Sequence, residues 1–499
     1  MNKVINDSLI STLFQFLKIF ARFFIGIYIV KQLEVQEYGA YNLFLVIISF
    51  GSVILSFNTH EYFNIEISSS KNLTYKHRIF WSIMEILLLF SIIFYLILSN
   101  ASVSHYLSVL LGIEAFGDAY SYVLLLLILT TISMTIGRYL AYSRYVLFFQ
   151  SWTFAVQTAW VVPLFFVGLN VKNIFYSQLI ILLPLTFLGL YYIYKHEKEH
   201  PLFAWKNIKP DIHFMSSAFK FGVGTYFALI GSFLLDITDK SMLSMLYSNE
   251  AVAYYSFSNI PFSILKGFII GTVFLIAMPY INQFNSSDPE KKFHLYSDLL
   301  KSFVLYLSGL VLSIVLLSEE IILFLGKEEY LQTYIVFPLL SVNFLLTVMM
   351  LLFKHELMLQ KSLKLLSMIY FSALIINIIL NFMLIENYSY KGAIFSTLTA
   401  NLFIVSMLYF KTDIKKHLVV KPLKALLFAG VLLVIVLLYS FIGPLLKSWM
   451  ASNALYLMIM LIVLYLPYLM LLSKLKLIPQ AHLETAKKVF LTKVLKRKK

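Results

Sequence analysis

The sequence predicts an all-α integral membrane protein. About fourteen transmembrane helices are expected, twelve in two six-helix lobes with pseudo-two-fold symmetry and two extra at the C-terminus. Three observations carry this expectation. Of the 499 residues, 60% are hydrophobic and 13% charged, with mean hydropathy +0.82; a soluble domain is roughly 25% charged. Apolar runs of about 20 residues, the length needed to cross a bilayer, recur fourteen times. Basic residues gather in alternate connections between those runs. A soluble enzyme or nucleic-acid binder is excluded, because a water-soluble fold could not hide so much apolar surface.

The runs lie at about 9–30, 38–57, 79–99, 120–140, 146–169, 174–194, 218–237, 252–280, 299–317, 333–353, 365–385, 390–410, 424–443 and 454–473. Met1 to Asp7 is too short and polar for a typical cleaved signal, so the run behind it is expected to be a retained first span. An even count puts both termini on one side. With the N-terminus and every second connection cytoplasmic, 28 Lys+Arg fall inside. Only Lys31, Lys172, Lys240, Lys327, Lys391 and Lys447 fall outside. Both termini are therefore expected in the cytoplasm. No outside connection is longer than about 20 residues, which places function in the membrane bundle.

An internal repeat organises the spans. Leu33 to Phe44 aligns with Leu246 to Phe257 at an offset of 213, with Leu, Glu, Ala, Tyr and Phe identical. Both copies sit between an odd span and the next. Six spans per copy makes the copies parallel, related by an axis along the membrane normal. The expected divisions are 1–210 for the first lobe, 211–417 for the second, 418–473 for spans 13 and 14, and 474–499 for a basic cytoplasmic tail.

A charge at the bilayer centre costs at least about 2.5–3.5 kcal/mol, so charged positions mark candidate sites. In span 1, Ser11, Gln15, Lys18 and Arg22 are spaced four, three and four and share one helix face. Two cations one turn apart with no acid in the span would suit a water-filled, anion-binding cavity. The alternative is pairing with acids on other helices, such as Glu85. In span 8, Tyr255, Asn259, Ser263 and Lys266 share a face, behind a kink expected at Pro261. Lys266 either joins the same cleft, or snorkels or pairs with an acid. Asp236, Asp239 and Lys240 close span 7 as a structural cap or an outer gate. His60, Glu61 and Glu85 are countercharges, or the groups of proton or sodium coupling. Asn377 and Asn381 share a face of span 11 and read as interhelical hydrogen bonding.

The tail from Ala481 to Lys499 has seven basic residues and one acid, with Leu483, Phe490 and Val494 on one face. It reads as an interfacial helix on anionic inner-leaflet lipids, not as a nucleic-acid binder. There is no cysteine. No phosphate-binding glycine motif, metal-ligand cluster or catalytic triad appears, so neither an enzyme nor a resident cofactor or metal is expected.

Two segments carry a family resemblance. Leu33-Glu34-Val35-Gln36-Glu37-Tyr38-Gly39-Ala40-Tyr41 resembles the stretch between the first two spans of polysaccharide transporters. Asp236 to Lys240, followed by Glu250 to Tyr254, resembles the start of their second half. With size and span order, the similarity points to the multidrug/oligosaccharidyl-lipid/polysaccharide exporter superfamily, and within it to O-antigen or capsule repeat-unit flippases of the Wzx type. That resemblance implies translocation of an undecaprenyl-diphosphate-linked oligosaccharide across the bacterial inner membrane, alongside polysaccharide polymerase machinery. It implies that Lys18, Arg22 and Lys266 meet the diphosphate and that spans 13 and 14 form a groove for the lipid tail. A departure is Lys at most sites, a point charge without the bidentate fork of Arg. Rival readings are a lipid II flippase, a drug/cation antiporter of the same superfamily and, from another class, a membrane polysaccharide polymerase.

Overall fold

The computed structural model describes residues 2–57, 59–69, 72–143, 145–197, 208, 210–270, 274, 277–278, 281–282, 284–285, 288–360, 362–417, 422–450 and 452–477. The side chains of 2–9, 61, 65, 68–69, 223–230, 232 and 236 lie outside that description. No strand occurs among the described residues.

α1 (Asn2–Gln32) and α2 (Val35–Ser56) are two crossings joined by a tight turn. The Glu37 carboxylate closes that turn by accepting from the Glu34 N–H at 3.3 Å. Span 2 ends at its expected limit, Phe57, in the left-handed region at φ 42°, and His60 lies beyond it in a separate helix, α3 (Thr59–Ser69). α4 (Leu73–Leu98), α5 (Ala101–Leu110) and α6 (Gly117–Tyr142) follow. The next crossing is broken into α7 (Val146–Thr158) and α8 (Val161–Val167). Pro163 causes the break, since it lacks the N–H that would reach Ala159. α9 (Val171–His196) is opened by the Asn170 side chain, which accepts from Asn173 N at 2.8 Å.

α10 (Ile212–Leu246) is 35 residues long and runs well past the limit of 237 expected for span 7. The eighth crossing is α11 (Asn249–Ser258) and α12 (Ile260–Ile269), broken at Asn259 with Pro261 in the first turn of the second piece. α13 (Pro289–Leu316), α14 (Ser318–Leu325) and α15 (Phe337–Leu359) follow, the last two separated by a 3-10 segment, Glu328–Val336. Pro338 opens α15 and does not interrupt it. α16 (Leu363–Lys411) has 49 residues; as a straight helix it would reach about 74 Å. Ser389, at φ 52°, turns it back on itself. A Cβ at Gly392 would lie 2.6 Å from the Leu384 carbonyl oxygen, so only glycine lets the two arms close. These arms are spans 11 and 12. α17 (Pro422–Trp449) and α18 (Asn453–Lys474) complete the chain.

Ten helical segments are long and apolar enough to cross a membrane among the described residues. Adding the fold-back in α16, the broken pairs α7–α8 and α11–α12, and α10 gives the expected fourteen crossings. Phe166 is 85% and Phe441 75% exposed, a surface that lipid tolerates and water does not.

Contacts divide the chain into Met1–Leu275 with Ser362–Ala400, and Ile276–Lys361 with Asn401–Lys499. In the first unit Phe63, Phe80, Tyr139, Trp152 and Phe214 pack as one aromatic core beneath α3, α4 and α6. In the second, Tyr456, Met460, Leu464 and Tyr468 of α18 anchor the last helix pair. Tyr465 donates to the Tyr306 carbonyl at 3.1 Å, fixing α18 on α13.

Candidate functional site

The polar face of α1 meets a polar stripe on α7. Gln150, Thr153 and Gln157 recur at spacings of three and four, one face of a helix. Lys18 is 6% exposed, and its Nζ donates to Gln150 Oε1 at 2.8 Å and Thr153 Oγ1 at 3.0 Å. Gln150 Nε2 donates onward to Ser11 Oγ at 3.3 Å. Both partners of the ammonium are neutral, and no carboxylate pairs with Lys18 among the described residues. The amine is solvated by fixed dipoles and its charge is not cancelled.

One turn further, Arg22 opens onto a cavity of about 760 Å³ inside the first unit. α1, α2, α3, α6, α7 and α9 all contribute to its wall, which includes Arg138, Gln157, Trp160 and Gln178. Among the described residues, no Asp or Glu lines it. Arg22 has no hydrogen-bond or ion-pair partner among the described residues. Two arginines with polar and aromatic walls make an anion-accepting chamber.

Lys266 is half-buried on α12 and does not line this cavity. α12 touches α1 through Phe268 and Phe16, ring centroids 5.6 Å apart. Phe16 and Lys18 lie about 200° apart around α1, so the helix that carries Lys266 approaches a different face from the one holding Lys18. Lys18 and Arg22 are thus brought together with α7, and Lys266 is not brought into that set. Gln15 is half-buried on the α1 stripe. The Asn259 side chain donates to the Tyr255 carbonyl at 2.8 Å, back into the end of α11, and Ser263 is exposed. Glu85 is half-buried on α4 without an ion-pair partner among the described residues, so it does not answer Lys18. His60 Nε2 meets Thr135 Oγ1 at 2.8 Å. The side chains of Glu61 and Asp236, and the tail beyond 477, lie outside the described residues.

Asp239 occupies a second polar centre. It is fully buried, about two turns before the end of α10 and not at a rim. Its Oδ1 accepts from Asn377 Nδ2 at 3.0 Å and Asn381 Nδ2 at 2.8 Å. Its Oδ2 accepts from the Tyr255 hydroxyl at 2.6 Å and from the Thr397 hydroxyl. α10, α11 and both arms of α16 therefore converge on one carboxylate. All four donors are neutral, and the buried Asn381 Oδ1 has no hydrogen-bond partner. The asparagines expected to join helices do so through Asp239.

Sequence reasoning missed Gln150, Thr153, Gln157, Arg138 and Gln178. The α7 stripe was visible in its spacing, but amides and hydroxyls in apolar runs draw less notice than charges. Arg138 sits near the end of α6, where a basic residue reads as a rim charge, yet it lines the cavity. Two further buried acids also escaped notice. Glu197 accepts from the Tyr139 hydroxyl at 2.9 Å and the Tyr145 hydroxyl at 3.0 Å and contacts His77. Glu356 pairs with Lys292 at 2.9 Å.

No family profile matches the chain, and no curated protein does. Three solved structures share its fold. A lipid II flippase, MurJ, in an inward closed conformation is similar at TM-score 0.65 and 17% identity, over 94% of this chain and 98% of that one. An inward-facing multidrug resistance MATE family transporter of the MOP superfamily is similar at TM-score 0.64 and 13% identity, over 82% and 98%. A Vibrio cholerae MATE transporter, VcmN, is similar at TM-score 0.54 and 11% identity, over 84% and 97%. The chain is a multi-pass membrane protein with the fold of these transporters and flippases.

Proposed function

We propose that the chain is a flippase of the bacterial cytoplasmic membrane. It moves undecaprenyl-diphosphate-linked oligosaccharide repeat units between leaflets for O-antigen, capsule or exopolysaccharide synthesis, with both termini in the cytoplasm and the two repeat halves alternating access. The observation that carries this reading is the pairing of an uncancelled Lys18 ammonium with an Arg22 that faces a roomy cavity whose described lining holds no acid. A diphosphate is anionic and its glycan polar, so both favour a wet cationic chamber, while the prenyl tail stays in lipid. No covalent chemistry is required. Lys266, on the repeat-related eighth crossing, is a further candidate contact for the same head group.

The cavity lining argues against a cationic-drug antiporter, since a chamber that accepts cations needs acids on its wall. A polymerase would need a catalytic constellation, and the described cavity offers none. A lipid II flippase would use the same chemistry and differs only in its glycan. Asp239 is the candidate coupling group. A buried carboxylate ringed by neutral donors, beside an unsatisfied amide oxygen, would be stabilised by a proton or a sodium ion.

Deletion of the gene followed by glycolipid analysis tests the function. Lipid-linked repeat units accumulating on the inner leaflet are expected. Completed single units outside, unpolymerised, would establish the polymerase instead. Rescue of a lipid II flippase depletion would assign lipid II as the substrate.

A further inference from the structure

We infer that a cavity of about 300 Å³ in the second unit holds the headgroup of a bilayer phospholipid that joins a primary ammonium to a phosphate, as phosphatidylethanolamine does. The cavity lies where the ends of α13, α14, α17 and α18 meet, and it shares no residue with the Arg22 cavity. The last turns of α17 build one wall. Tyr439, Gly443 and Lys447 recur every fourth residue, with Ser440 and Pro444 beside them. Gly443 keeps this wall open, since a Cβ there would lie 3.1 Å from the Tyr439 ring and 3.5 Å from the Tyr456 hydroxyl. Pro444 has no N–H, so the Ser440 carbonyl one turn before it loses its helical donor within the lining. Glu319 and Glu320, in the first turn of α14, complete the polar set.

The charges suit a zwitterion. Glu320 is buried and accepts from Lys447 Nζ at 2.7 Å, so that carboxylate is answered. Glu319 is exposed and pairs with no cation among the described residues. Lys447 is also exposed; it spends one N–H on Glu320 and keeps others for a ligand. The cavity therefore offers acceptors at Glu319 and the Ser440 carbonyl, and donors at Lys447. A primary ammonium gives N–H groups to the acceptors, and the adjoining phosphate accepts from the lysine. A trimethylammonium has no N–H to give. A wholly anionic headgroup would meet the Glu319 charge, and a bare metal ion would meet the Lys447 charge. The surroundings make the occupant a lipid. Phe441, Leu445 and Trp449 are exposed on the same turns of α17, an apolar surface for acyl chains. A tryptophan beside a lysine at the end of a crossing marks the level of the headgroups.

The test uses the full-length protein in detergent micelles and calorimetric titration with dihexanoyl phosphatidylethanolamine, its choline and glycerol counterparts, O-phosphoethanolamine and calcium chloride. The ethanolamine lipid is expected to bind tenfold or more tightly than the choline lipid. Glu319→Gln, an exposed change, is expected to cut that ratio at least fivefold. Pro444→Ala returns an N–H to the Ser440 carbonyl and is expected to cut it by a smaller factor. Equal binding of the ethanolamine and choline lipids, or a ratio that neither variant alters, would overturn the site. Equal binding of the glycerol lipid would show that Lys447 takes any phosphate and would overturn the ammonium half. O-phosphoethanolamine binding as tightly as the lipid would make the ligand a soluble zwitterion, and calcium binding lost in Glu319→Gln without any lipid preference would make it a cation; either would overturn the lipid assignment.

Discussion

Gly39 of α2 packs directly on the main chain of Asn249, the first residue of α11: a Cβ on Gly39 would overlap the Asn249 carbonyl oxygen. The two residues belong to the two copies of the twelve-residue repeat, so the copies face each other where each opens its helix. The Asn249 side chain is held in turn, with Nδ2 donating to the Gly112 carbonyl at 2.5 Å and Oδ1 accepting from the Ser244 hydroxyl at 2.8 Å. Only a glycine allows this approach, because the neighbour is backbone and cannot rotate away. Gly39→Val should force α2 and α11 apart. Val252, buried on α11, reports the separation once changed to Cys, since the chain has no other cysteine. Labelling of Val252→Cys by a membrane-impermeant maleimide should speed up at least threefold with Gly39→Val; an unchanged rate would show that this contact does not close the α1–α2 end.

Removing positive charge from the α1 stripe should cost transport more than it costs folding. Arg22→Ala deletes a charge-assisted contact to an anionic head group worth about 1.5–3 kcal/mol, so glycan export should fall roughly ten- to 150-fold with expression unchanged. Lys18→Met removes the same kind of charge but strands the Gln150 and Thr153 acceptors, so it should also lower the melting temperature. Lys266→Ala should reduce export by a smaller factor, because α12 approaches the α1 face opposite the one that carries Lys18 and Arg22. Normal surface polysaccharide in the triple variant would dismiss the cationic site.

Much of this architecture was legible in the sequence, for a reason peculiar to lipid. Backbone groups cannot stay unpaired in a bilayer, so an apolar run of the right length must become a helix. Its breaks sit where Pro163 and Pro261 remove donors. The charges of α1 were legible because a charge in an apolar run is costly wherever its helix packs. Partners were not legible. Nothing local tells Lys18 that Gln150, 132 residues away, will receive it. Asp239 looked like a rim residue because a charge usually ends a span, and only the convergence of α11 and α16 makes its burial tolerable.

Asp239 should govern the energetics of the cycle. Asp239→Asn keeps the shape of the centre but removes the negative charge that a proton or sodium ion would balance. Transport in proteoliposomes should fall at least tenfold, and the residual rate should no longer respond to external sodium or pH. Asn381→Leu, which deletes an oxygen beside the carboxylate, should weaken that response without abolishing it. A wild-type response in Asp239→Asn would remove this residue from coupling.

The Lys292–Glu356 pair tests whether a buried ion pair holds the second unit together or merely avoids damage. Lys292 Nζ reaches Glu356 Oε1 at 2.9 Å and Asn285 Oδ1 at 3.0 Å, and lies 4.4 Å from the Phe293 ring centroid. Gln360 also donates to Glu356 Oε1 at 3.0 Å, while Glu356 Oε2 is buried without a partner. Desolvation offsets much of the attraction in such a pair, so its net worth is small, but removing one member leaves a buried charge alone. Lys292→Met or Glu356→Leu alone should therefore destabilise by about 3–5 kcal/mol. The double variant should recover most of that loss, since no charge is then stranded. Thermal melts of the four proteins in one detergent give the cycle. Additive losses would mean that the two residues act independently and that their proximity in α13 and α15 stabilises nothing.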